Sequence, residues 1–112
     1  MTSRQKLAIF KKEAERLRSA LGLTEWSVDY TLGCSEEDNG AELNYNYYGR
    51  KACIALNPKF GSTASDVRRF AKHEVAHLLL APLAHKAQQR FVQEQELDEA
   101  EEAIVRKLEE VL

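Results

Sequence analysis

Between Ser3 and Leu21 the apolar residues Leu7, Ile9, Phe10, Ala14, Leu17, Ala20 and Leu21 recur at three- and four-residue intervals among Lys, Arg and Glu. That is the period of a helix with one buried face, and Gly22 supplies its stop. From Trp26 to Leu32 the period changes to two, with Trp26, Val28, Tyr30 and Leu32 on one side and Ser27, Asp29 and Thr31 on the other, which predicts a half-buried strand. The polar, acidic stretch Gly33 to Gly40 is expected to be a solvated loop. Ala41 to Tyr48 and Lys51 to Leu56 read as two strands joined by a tight turn at Gly49-Arg50, hence a small antiparallel sheet. Ser62-Thr63-Ala64-Ser65-Asp66 offers caps for a helix from about Ser65 to Ala81, ended by Pro82. A last helix is expected from about Gln88 to Leu112, on the stripe Phe91, Leu97, Ile104, Leu108 and Val111. The order helix, strand, strand, strand, helix, helix predicts an α+β fold, and 112 residues suffice for one domain, 1–112.

Charge and composition narrow the function classes. Sixteen Lys plus Arg against eighteen Asp plus Glu give a net charge of -2, so no global basic field favours nucleic acid. The basic residues of the first helix, Lys6, Lys11, Lys12, Arg16 and Arg18, surround it without forming one dense stripe. A solvated surface is the expectation there, with contact to DNA or an acidic partner as the rival. No apolar run is long enough to span a bilayer and no signal peptide is evident, so the expectation is a soluble, cytoplasmic protein with no membrane partner. Cys34 and Cys53 are expected to be reduced.

One segment carries recognisable chemistry, His73-Glu74-Val75-Ala76-His77. Four residues is just over one helical turn, so both imidazoles project from one face and can reach a single zinc ion about 2.0–2.1 Å from each nitrogen. Glu74 points about 100° away, where its carboxylate is a candidate general base towards a metal-bound water. The motif sits in a helix that is otherwise nearly all apolar, where buried polar groups need a partner and a metal is a good one. A hydrolytic zinc site also needs a third protein ligand and an open position. His85 lies beyond Pro82 and is expected to be an exposed loop residue. On the last helix Glu101 continues the apolar stripe, where an unpaired carboxylate would be costly. It is the preferred third ligand, with Glu102 as the alternative and Asp98, one turn earlier, as a residue that could orient a ligand histidine.

The motif HEVAH, the following LLLAPL (Leu78 to Leu83), the strand ACIALNP (Ala52 to Pro58), LTEWSVDY (Leu23 to Tyr30) and EEAIVRKL (Glu101 to Leu108) together resemble small gluzincin-type zinc metallopeptidases. Closest are the single-domain minigluzincins of phages and prophages, and more distantly the SprT-like proteases. The resemblance implies a zincin-like fold, an active-site helix bearing His73, Glu74 and His77, a glutamate ligand from the following helix, and a sheet edge that aligns a peptide above the zinc. A cleft-blocking segment of the kind minigluzincins can carry is not expected, unless the acidic loop plays that part. The expected function is therefore zinc-dependent hydrolysis of a peptide or protein substrate, with Lys51 to Leu56 as the substrate-binding edge. Tyr45, Tyr47, Tyr48 or His85 would donate to the tetrahedral intermediate. The competing class is a non-catalytic zinc-containing binding or regulatory module, in which Glu74 would be dispensable.

Overall fold

A computed structural model describes residues 1–89 and 93–111 of the chain. Its elements are α1 (Ser3–Ala20), β1 (Ser27–Leu32), β2 (Ala41–Asn46), β3 (Lys51–Leu56), α2 (Ala64–Ala87) and α3 (Glu94–Glu109). This is the α+β order read from the sequence. The expected residues Phe91 and Leu112 of the last helix lie outside the described residues. Among those described, no helix is long and apolar enough to cross a membrane.

Local chemistry accounts for the helix ends. Thr2 and Gln5 form a reciprocal capping box at the start of α1, satisfying amides that have no partner in the first turn. At its other end Gly22 takes the left-handed conformation, φ 67°, that glycine enters at least cost. Thr63 caps α2 by accepting from the amide of Asp66 at 3.1 Å.

The sheet is mixed, not antiparallel as expected. Its strand order is β1-β3-β2, with β3 antiparallel to β2 and parallel to β1. Lys51–Leu56 is therefore the central strand, and the edge on the β2 side belongs to Ala41–Asn46. The reason is apolar: Ala52, Ile54, Ala55 and Leu56 are all buried, and a strand buried on both faces belongs in the middle of a sheet. The turn between β2 and β3 also departs from expectation, because Asn46 pairs with Lys51 and leaves four residues, Tyr47 to Arg50, in the connection. The Asn46 side chain accepts from the amide of Gly49 at 3.1 Å, and Arg50 adopts φ 52°, so side-chain and left-handed geometry close the longer turn.

The core is a layer between the helices and the sheet. Phe10 and Ala14 of α1 meet Val67, Ala71, Val75 and Leu78 of α2 and the sheet residues Ile54 and Leu56 in one buried cluster. Each fully buried large side chain contributes about 1.5–3 kcal/mol. This cluster holds the middle of α2, and hence the HEVAH segment, against the rest of the fold.

Candidate metal centre

α2 places the three motif residues differently from one another. Val75, Leu78 and Leu79 are buried against the core, so the helix turns His73 and His77 outward, where both are exposed. The expectation that the histidines are buried polar groups is corrected on this point. Their Nε2 atoms converge to 3.2 Å, with ring planes inclined at 75°. Two nitrogens each bound to one tetrahedral zinc ion at about 2.0–2.1 Å would lie roughly 3.3 Å apart. The pair thus fits a single zinc ion on distance and donor type.

Glu74 is the motif residue that is buried, at 7% exposed. Burial pushes its carboxyl above the ordinary value, and the nearby Glu42 carboxylate adds to the rise, while His73 and His77 oppose it. A carboxyl held up in this way is poised to carry a proton.

Two hollows meet at His73 and Glu74. One, about 360 Å³, is walled by Asp38, Asn39 and Gly40 of the loop after β1 and by Arg69 and Phe70 of α2. The other, about 500 Å³, runs between β2 and the second half of α2, past Glu42, Leu43, Tyr45, His77, Leu80 and Ala84. The loop wall is fixed by hydrogen bonds rather than by packing. Asn57, buried just after β3, donates its side-chain amide to Glu37 O at 3.1 Å and its backbone amide to Gly40 O at 2.9 Å. Ser35 donates both its amide and its hydroxyl to the Glu42 carboxylate. Gly40 fits because it has no side chain: a Cβ there would come 2.9 Å from the Phe70 ring.

The residues expected around the motif separate into those brought to the cleft and those that are not. Of the four candidate donors to a tetrahedral intermediate, Tyr45 lines the cleft. Tyr47 and Tyr48 instead pack on His85. His85 is helical, because α2 continues through Pro82 to Ala87, contrary to the expected stop and the expected loop. Pro82 removes one backbone donor, yet Leu79 and Ala81 before it are buried and Leu83 after it packs on the core, so tertiary contacts keep the helix going. On α3, Ile104 is the residue buried against the core. Glu101, Glu102 and Asp98 are exposed, and Glu102 lies 3.7 Å from Arg106. The cost invoked for Glu101 on an apolar face therefore does not arise, since water reaches it. Among the described residues no three His, Cys, Asp or Glu side chains form a metal-holding group, so the structure does not bring Glu101 or Glu102 to the histidine pair.

Glu42 was missed by sequence reasoning. A lone glutamate early in a strand carries no signal beyond a solvated face, and its place opposite Glu74 depends on the strand order. Both cysteines are free thiols, as expected. No known protein family, characterised protein or solved structure shows a significant match to this chain.

Proposed function

We propose that this protein is a zinc-dependent peptidase whose site is built on His73, Glu74 and His77. What supports the reading above all is the convergence of the two imidazole nitrogens to 3.2 Å beside a buried carboxylate. Zinc, when bound, supplies Lewis acidity towards a carbonyl and makes a coordinated water acidic near neutral pH. His73 and His77, whose Nε2 atoms converge, would hold the ion. Glu74 Oε accepts a proton from the attacking water and returns it to the leaving amine, a transfer favoured by a carboxyl whose affinity for the proton is raised. Tyr45, on the opposite wall, is the donor placed to steady negative charge on the substrate oxygen. β2, an edge strand beside the histidines, offers its backbone to an extended peptide. Glu101, with Glu102 as the alternative, remains the proposed third ligand and would have to approach the pair from α3.

The test is metal content followed by turnover. Untagged protein should carry close to one zinc per chain by elemental analysis, and His77→Ala should carry none. Glu74→Gln should keep the zinc and lose peptide cleavage. Retained zinc with no cleavage by the wild type on a mixed peptide library would favour the non-catalytic zinc module. No zinc after reconstitution would end both readings.

A further inference from the structure

The net charge of -2 conceals a separation of charge along the chain. α1 carries six basic and two acidic residues, whereas α3 carries seven acidic and two basic. The tertiary structure sorts the basic residues of α1 by role. Lys6 donates to Pro58 O at 2.9 Å and Phe60 O at 3.3 Å, and Arg18 to Leu23 O at 3.0 Å and Trp26 O at 2.8 Å, so both serve the fold. Lys11 lies over the Tyr30 ring, 5.9 Å from its centroid. Arg4 stands in the first turn of α1, away from this face, and the remaining two, Lys12 and Arg16, face α2.

There they meet a second basic pair. A hollow of about 360 Å³ between the two helices is lined by Ile9, Lys12, Glu13 and Arg16 of α1 and by Arg68 of α2. Lys72, one helical turn beyond Arg68, reaches to 4.0 Å from the Glu13 carboxylate. Among the described residues Glu13 is the sole acidic residue in the lining of this hollow, bound by Arg16 at 2.6 Å and held below its ordinary value by that bond, with Lys72 and Arg68 adding to the effect. Arg16, Lys72 and Arg68 act on the one carboxylate and Lys12 lines the same hollow, leaving positive charge in excess. Lys12 and Arg68 are exposed and, among the described residues, have no ion pair.

We propose that this α1–α2 face binds the phosphate backbone of a nucleic acid. Lys12 with Arg16, and Arg68 with Lys72, are each four residues apart on a helix, so each pair repeats its charge at about 5–6 Å. Lys12, Arg16 and Arg68 line the hollow and Lys72 extends the α2 row past it, an arrangement that can follow a chain bearing one negative charge per nucleotide. The Arg68 fork matches phosphate oxygens in pairs, whereas Arg16 holds Glu13 through two of its nitrogens and adds charge to the face rather than a free fork. Among the described residues no aromatic side chain lines the hollow, so bases have no surface to stack on there and binding is blind to sequence. The face draws on α1 and the first turns of α2, not on the histidine pair, and does not depend on zinc.

The experiment is a fluorescence-anisotropy titration of the full chain with a labelled 20-base-pair DNA duplex, repeated at several NaCl concentrations between about 50 and 200 mM. The wild type should bind, with log Kobs falling linearly against log[NaCl]. Each phosphate contact contributes about −0.9 to that slope, so Lys12→Ala with Arg68→Ala should reduce its magnitude by about 2 and weaken binding at least roughly tenfold. Glu13→Gln should strengthen binding, a change in the opposite direction that misfolding cannot imitate. His77→Ala should bind as the wild type does. No binding at 50 mM NaCl, or binding unaltered by the double substitution, overturns the proposal.

Discussion

The rings of Tyr47 and His85 stack with centroids 4.0 Å apart and planes inclined by 13°. The contact joins the turn between β2 and β3 to the last turns of α2, and Arg50 covers the other face of Tyr47 at 4.0 Å. Edge-strand position beside the cleft is thereby tied to the far end of the helix that carries the histidines. In a double-mutant cycle, Tyr47→Ala and His85→Ala should show a coupling of about 0.5–1.5 kcal/mol in urea unfolding. Strictly additive losses would mean the stacked pair contributes nothing beyond its burial.

Pro82 sits inside α2 without a backbone donor for the turn before it. Since tertiary contacts hold the helix in spite of it, Pro82→Ala should stabilise the protein, by about 1–3 kcal/mol, and raise the melting temperature. A lower melting temperature would show that the ring itself packs productively.

Glu74 is buried with its carboxyl raised above the ordinary value. For an acid of this kind the sign is definite: its favourable contribution is complete below the unfolded value near 4.5 and is lost as pH rises through the folded one. In metal-free protein, Glu74→Gln should therefore be more stable than the wild type at neutral pH, by about 1 kcal/mol, with the difference vanishing towards pH 4. Thermal denaturation across that pH range reads it, and a variant less stable at pH 7 would contradict the burial cost.

The Cys34 thiol is pushed up to about 11, chiefly by burial and then by the neighbouring Glu42 carboxylate. Because the thiolate is the reactive form, alkylation of Cys34 by iodoacetamide at pH 8 should run roughly a hundredfold slower than that of free cysteine. Glu42→Gln should accelerate it. Peptide mapping by mass spectrometry gives the rate, and labelling of Cys34 as fast as free cysteine would refute the assignment.

Sequence periodicity determined the six elements and their order, because burial of one helix face or alternate strand residues leaves a local imprint on which positions are apolar. It determined as well that His73 and His77 share a face with Glu74 beside them, since a four-residue interval on a helix fixes that relation without any distant contact. What lay outside its reach were the relations between elements. The insertion of β3 between β1 and β2, the passage of α2 through Pro82, the exposure of the histidines and the arrival of Glu42 opposite Glu74 all follow from which surfaces pack together. Helix and strand propensities are weak beside such packing. Charge shows the same division. The composition determined a total near neutrality, while only the side-by-side packing of α1 and α2 decided that Lys12, Arg16 and Arg68 line one hollow with Lys72 reaching towards its Glu13, because a sum over residues carries no positions.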